Sequence, residues 1–219
     1  MTVLLFIATI VLFLSIDYFV QRSKKKVEAI QPKPARIPSL RFPEGIFFAK
    51  NHTWMNLFPS GKVQLGVDDF LLRMFEKPVL TLLKKEGQEV ERYEPILRVE
   101  ENGKEVIVRS PIEGTVVNNN LTIHGKQLSH DVALFSDGWA YTIKPKHPRD
   151  VRSFLLADET RNWMKREMGR LRDFLATAIP QPNAAMIVLQ DGGEPMPGVL
   201  TPLNTQQIKE FEQLFLNEQ

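Results

Sequence analysis

Between Phe47 and Pro145 the chain alternates short apolar and polar runs. TWMNLF, KVQLGV, PVLTLL, PILRVE, KEVIVRS, GTVVN and WAYTIK are rich in residues that suit a pleated, half-buried surface. Turn residues separate them at Pro59-Ser60-Gly61, Glu86-Gly87, Asn102-Gly103 and Asp137-Gly138, so each run is predicted to be a strand. Many short strands in succession point to a small barrel or sandwich. One segment breaks the pattern: FLLRMFE follows Asp68 and Asp69, either of which can N-cap a short helix that plugs or flanks the strands.

Beyond Pro145 the period becomes helical. Asp158 is the expected N-cap, and Met164, Met168, Leu171 and Leu175 recur at i, i+4, i+7 and i+11, forming one apolar stripe to pack on the strands. Pro180 and Pro182 end that helix, AAMIVLQ reads as a buried strand and DGGEPMPG as a loop. Asn204 or Thr205 is expected to cap a last helix with Ile208, Phe211, Leu214 and Phe215 turned inward. This tail is either an accessory element or a docking helix.

The N-terminus is of a different kind. Val3 to Val20 is largely apolar and would span roughly 27 Å as a helix, enough to cross a bilayer core. Basic residues follow the run instead of preceding it and no A-x-A-like cleavage site appears, which favours an anchor over a cleaved signal peptide. Arg22, Lys24, Lys25 and Lys26 lie just past the span, so the remainder is expected on the cytoplasmic side of a single-pass inner membrane protein. Prolines 32, 34, 38 and 43 make the next stretch a semi-rigid tether. The expected domains are an anchor with its basic flank over 1–26, a tether over 27–46, a β domain over 47–157 and a helical extension over 158–219. Residues 21–41 hold seven basic side chains and one acidic, against 21 basic and 24 acidic over 42–219. The basic character therefore belongs to the membrane flank, and no nucleic-acid footprint is expected.

Several chemistries are set aside by what the chain lacks. It has no cysteine, which removes disulfides, thiolate metal sites and a cysteine nucleophile. His52, His124, His130 and His147 have no metal-binding spacing, and there is neither a nucleophile elbow nor a phosphate-binding loop. Glu100 and Glu101 are adjacent strand residues pointing to opposite faces, a poor arrangement for a catalytic carboxylate pair. No metal and no enzyme activity are expected.

The stretch VEENGKEVIVRSP, Val99 to Pro111, concentrates the question of function. Asn102-Gly103 is a strong two-residue hairpin signal, and Glu101 and Lys104 would flank the turn as a cross-strand ion pair. The ordered series NHTW, GKVQLGVDDF, GQEV, PILRVEENGKEVIVRSPIEGTVVNNN and SDGWAYTIKP resembles the H protein of the glycine cleavage system over roughly residues 47–157. His52 and Trp54 match that family's His-Glu-Trp, with Thr53 in place of the acid. Gly66 and Asp69 match its Gly-x-x-Asp. Glu100 matches the glutamate of its V-E-S-V-K hairpin, and Ser110, Pro111 and Gly114 match the following S-P-x-x-G. Gly138 and Trp139 match its Gly-Trp pair, although the expected D-P-Y-G before it is replaced here by DVALFSDG.

The resemblance implies an α+β chain built on a barrel-sandwich hybrid of the lipoyl/biotinyl type, here with an N-terminal transmembrane helix and C-terminal helices. In that family the hairpin lysine bears lipoic acid and carries an aminomethyl group between enzymes. An ungapped match puts Gly103 at the lysine position, with Lys104 one residue later. A one-residue displacement changes the face from which a strand side chain projects. The leading expectation is a membrane-anchored H-protein-like scaffold without a cofactor, working with protein partners in a membrane-associated complex. Two alternatives remain open: a carrier lipoylated on Lys104, and a membrane-fusion-type adaptor of an export system.

Overall fold

The computed structural model describes residues 39–179 and 195–217. The expected anchor, most of the expected tether and the AAMIVLQ run lie outside these residues. Among the described residues no helix is long and apolar enough to cross a membrane.

Each of the seven strands predicted between Phe47 and Pro145 forms. The described strands are β1 (Phe47–Ala49), β2 (Thr53–Leu57), β3 (Val63–Val67), β4 (Val79–Leu82), β5 (Glu89–Val90), β6 (Pro95–Glu101), β7 (Lys104–Arg109), β8 (Gly114–Asn119), β9 (Lys126–Gln127), β10 (Tyr141–Pro145) and β11 (Leu155–Leu156). They make two sheets, one ordered β11-β1-β2-β3-β10-β8-β5 and the other β7-β6-β4-β9. Neighbouring strands pair antiparallel throughout. Alternate residues such as Val63, Leu65 and Val67 of β3, or Leu97 and Val99 of β6, are buried in one continuous apolar core. Tyr141 ties the sheets together: its hydroxyl donates to the Ile96 carbonyl at 2.7 Å and accepts from the Lys84 N–H at 3.0 Å. Burial pushes its phenol up to about 12, while the hydrogen bonds from Lys84 and Leu83 work in the other direction.

Helix α1 (Asp69–Arg73) is the expected plug. Asp68 is its cap, accepting the Leu71 N–H at 2.8 Å, and all five helical residues are buried. Helix α2 (Asp158–Ala178) follows a 3₁₀ turn at Pro148–Ser153. Asp158 does not cap it. Because β11 pairs back onto β1, the chain must turn sharply at Ala157, which takes the capping position with a φ of 47° and leaves Asp158 as the first helical residue, paired with Arg161 at 2.5 Å. The expected stripe does face inward, with Met164, Leu171 and Leu175 buried and Met168 packed at its margin.

The last helix, α3 (Thr205–Phe211), starts with a capping box: Asn204 accepts the Gln207 N–H, and the Gln207 side chain accepts the Asn204 N–H. It runs into a π-helical turn over Glu212–Leu216. The wider turn rotates the following face, so Phe215 and Leu216 turn inward while Leu214, expected inside, is 49% exposed. The described residues from Ser39 onward, this tail included, belong to one compact unit.

Candidate functional site

The β6–β7 hairpin turns at Asn102 and Gly103, whose φ values of 51° and 78° are the paired left-handed conformations of a type I′ turn. Gly103 sits at the exposed tip, and a side chain placed there would meet nothing within 4 Å. Lys104 begins β7 and is half-buried. The expected ion pair does not form, although Glu101 and Lys104 oppose one another in register. The Glu101 carboxylate instead accepts the backbone N–H groups of Glu76 and Lys77, just beyond α1. The Lys104 ammonium donates to the carbonyl of Thr201 and, at 3.5 Å, to that of Leu200. Each charge is met by backbone groups of opposite polarity, which removes the reason for them to meet each other.

The C-terminal segment lies along the same strand. The Glu212 carboxylate accepts the Ile107 N–H at 3.1 Å, Asn217 accepts from Arg109 Nε at 3.1 Å, and both α3 and the π-helical turn pack on β7. Glu100, across from Glu105 and Val79, lies on β6 away from any such cluster. Among the described residues no group of histidine, aspartate and glutamate is placed to hold a metal.

The remaining motif residues are structural. Trp54 of β2 pairs with Gly66 of β3, and a Cβ on Gly66 would fall 2.9 Å from the indole nitrogen and 2.9 Å from the Gly138 carbonyl. Ser110 and Pro111 are buried where β7 ends, with the Ser110 hydroxyl donating to the Ile112 carbonyl at 2.6 Å. Gly114 opens β8 against Pro145, and Gly138 packs on Leu134. Trp139 is half-buried against the core, its carbonyl accepting from Asn120 at 2.9 Å. Asp69 bridges Arg41 at 2.9 Å and Arg73 at 3.0 Å.

His52 is the most consequential of them. It sits in the β1–β2 turn with a φ of 59°, fully buried and stacked on Phe70 at 4.2 Å. Its Nδ1 is 2.9 Å from Asp68 Oδ2 and its Nε2 is 3.6 Å from Glu167 Oε1. Burial is the largest single influence and opposes the charged imidazolium, yet Asp68 and then Glu167 together outweigh it and raise the pKa to about 9. Glu167 is in turn gripped by Arg170, whose guanidinium donates to the Leu214 carbonyl at 2.6 Å and lies 5.1 Å over the Phe215 ring. One chain of charge thus runs from the α1 cap through His52 and α2 to the C-terminal segment. His52 is legible as a motif residue and Asp68 as a helix cap; Glu167 is not, because a glutamate on a helix ordinarily reads as a solvated one.

Two sheets enclosing a common core and presenting a tight hairpin define a sandwich domain of the lipoyl/biotinyl-like class. Residues 46–167 match the family described as glycine cleavage H-protein. Over 116 residues the chain is 26% identical to the glycine cleavage system H protein of Stenotrophomonas maltophilia strain R551-3, covering 53% of this chain and 88% of that protein. It is also 26% identical over 120 residues to a probable glycine cleavage system H protein 2 of Sulfolobus acidocaldarius, covering 53% and 80%. A crystal structure of a glycine cleavage system H protein from Mycobacterium marinum superimposes with a TM-score of 0.45 at 16% identity, over 57% of this chain and 98% of that one. The chain belongs to the glycine cleavage H-protein family. The match runs into α2 and stops short of the C-terminal segment that holds Lys104.

The hairpin differs from the lipoyl attachment point that this family implies. The tip position carries no side chain, and the neighbouring lysine is bent back onto two carbonyl oxygens.

Proposed function

We propose that this protein is an H-protein-like domain that works without a lipoyl group, as an interaction module in a complex at the cytoplasmic face of a membrane. The observation that carries the reading is the hairpin: glycine at the tip, and the Lys104 ammonium engaged by Thr201 and Leu200. An amine committed in this way is neither projected toward a modifying enzyme nor free to swing between partners. The apolar run Val3–Val20 and the basic residues after it support the membrane placement.

The test is the mass of the protein and of its Lys104 peptide after purification from the native host. A bare lysine, in cells whose other lipoyl proteins are modified, is the expected result. A lipoyl adduct overturns the reading in favour of a carrier modified on Lys104, the reading that family membership favours. Protease added outside intact cells should leave the β domain uncut, and affinity purification from solubilised membranes should return a stoichiometric protein partner.

A further inference from the structure

We propose that the outward face of α2 rests on an anionic phospholipid surface through Arg161, Lys165, Arg166 and Arg172, and so sets how the β domain sits at the bilayer. The proposal rests on the membrane placement in the reading above and adds a contact made by the folded domain itself.

The charge on α2 is sorted by face. From Thr160 to Arg172 the helix carries five basic residues and one acidic, and the acidic one, Glu167, is 1% exposed because it faces His52. Arg170 is held by that same glutamate. The exposed charges of the stretch, those of Arg161, Lys165, Arg166 and Arg172, are therefore all positive. Arg161, Lys165 and Arg172 recur at i, i+4 and i+11. At about 100° per residue they fall within roughly 40° around the axis, in a line about 16 Å long. Arg161 shares its charge with Asp158, whereas Lys165, Arg166 and Arg172 make no ion pair among the described residues. Acidic side chains stand outside the stretch: Asp158 and Glu159 in the first turn, where they suit the helix dipole, and Asp173 beyond it.

Gly169 lies within this face and points to close approach. A glycine inside a helix gives up helical stability relative to alanine, and a tightly packed neighbour is the usual reason for one. Here there is none: a Cβ at Gly169 would meet nothing within 4 Å. The missing side chain leaves a gap among Lys165, Arg166 and Arg172, where a flat surface can come near the backbone while the long basic side chains spread onto it.

The partner that this arrangement fits is a flat, negatively charged one, and on the proposed reading the chain is already tied to it. The apolar run Val3–Val20 is followed by Arg22, Lys24, Lys25 and Lys26, and the eighteen residues 21–38 reach at most about 65 Å. A domain held within that radius meets the lipid at an effective concentration of order millimolar, so a weak attraction suffices. Each lysine or arginine close to an anionic leaflet strengthens the contact about fivefold, within a screening distance of roughly 8 Å at physiological salt.

The experiment uses the full chain, whose lack of cysteine makes Gly169→Cys a unique site for a nitroxide label. The labelled protein is mixed with vesicles of phosphatidylcholine, or of phosphatidylcholine with phosphatidylglycerol. Flotation reports attachment, and collision of the nitroxide with a water-soluble nickel chelate reports shielding of the face. Attachment to both vesicles is expected, with collisions at residue 169 at least threefold fewer on the anionic ones. High salt should abolish the difference, and a label at Lys126→Cys, on β9, should show none. Lys165→Gln, Arg166→Gln and Arg172→Gln together should erase the shielding, whereas Arg166→Lys with Arg172→Lys should keep it. Equal collision rates on the two vesicles overturn the proposal. So does shielding by soluble polyglutamate on neutral vesicles without shielding by phosphatidylglycerol, which gives the face to an acidic protein. Flotation on neutral vesicles judges the apolar run and shielding judges α2: a chain that floats only with phosphatidylglycerol loses the proposed span and keeps this face.

Discussion

His52 Nε2 and Glu167 Oε1 lie 3.6 Å apart in the interior, joining a turn at one end of the β domain to the middle of α2. With Asp68 on the opposite side of the ring, the two carboxylates hold the imidazole in its charged form well above the usual range, at about 9. A group whose folded pKa is raised above its unfolded value contributes stability that is complete below about 6.5 and is lost as pH rises through about 9. The contribution is on the order of 3 kcal/mol. Urea denaturation across this window should show stability declining from pH 6.5 to 9, and His52→Gln should flatten the decline. Glu167→Gln should narrow the window by removing one of the two carboxylates.

Gly66→Ala should destabilise the protein by about 1–3 kcal/mol, because the new methyl group has no direction in which to relax. The Trp54 indole lies on one side and the Gly138 carbonyl on another. Thermal unfolding followed by tryptophan fluorescence measures the loss, and a shift in the folded-state emission would report displacement of the indole.

Gly103→Lys restores a lysine at the position where the family has one. The left-handed backbone there adds strain of about 1 kcal/mol, yet the space around the tip is open. Incubation of this variant with lipoate, ATP and a lipoate ligase should produce a mass increase confined to the hairpin peptide. Under the same conditions the unaltered protein should remain unmodified.

Tyr141→Phe should cost about 1–2 kcal/mol in urea denaturation. The Lys84 N–H loses its acceptor, while the Ile96 carbonyl keeps the hydrogen bond it receives from Leu83. The pKa of about 12 predicts that the phenol stays protonated in ultraviolet titration until the pH is well above that at which a free tyrosine ionises.

Much of the β domain is legible in the sequence because its signals are local. The Asn102-Gly103 dipeptide specifies its own turn, Asp68 caps the helix it precedes, and period-two alternation marks β3 and β6. Strands such as β5, β9 and β11 escape notice because two residues carry no period. Ala157 displaces Asp158 as the cap for a tertiary reason, the return of β11 to β1. The candidate site is the least legible part. Nothing around Lys104 announces that its partners are carbonyls of Leu200 and Thr201, since every residue has a carbonyl and the chain between them carries no matching pattern. The shift of the lysine from tip to strand is visible only against the family's motif.

The placement of Glu212 and α3 beside β7 also bears on how copies of this protein behave when crowded. A strand at the margin of a sheet is where one molecule can extend the sheet of the next, and β7 is such a margin. With the C-terminal segment packed along it and the Ile107 N–H already bonded, that margin offers no template for growth. The proposed membrane placement would concentrate the chain on a two-dimensional surface, where it meets its own kind far more often than in a cell's volume, and that side of its smaller sheet is already closed.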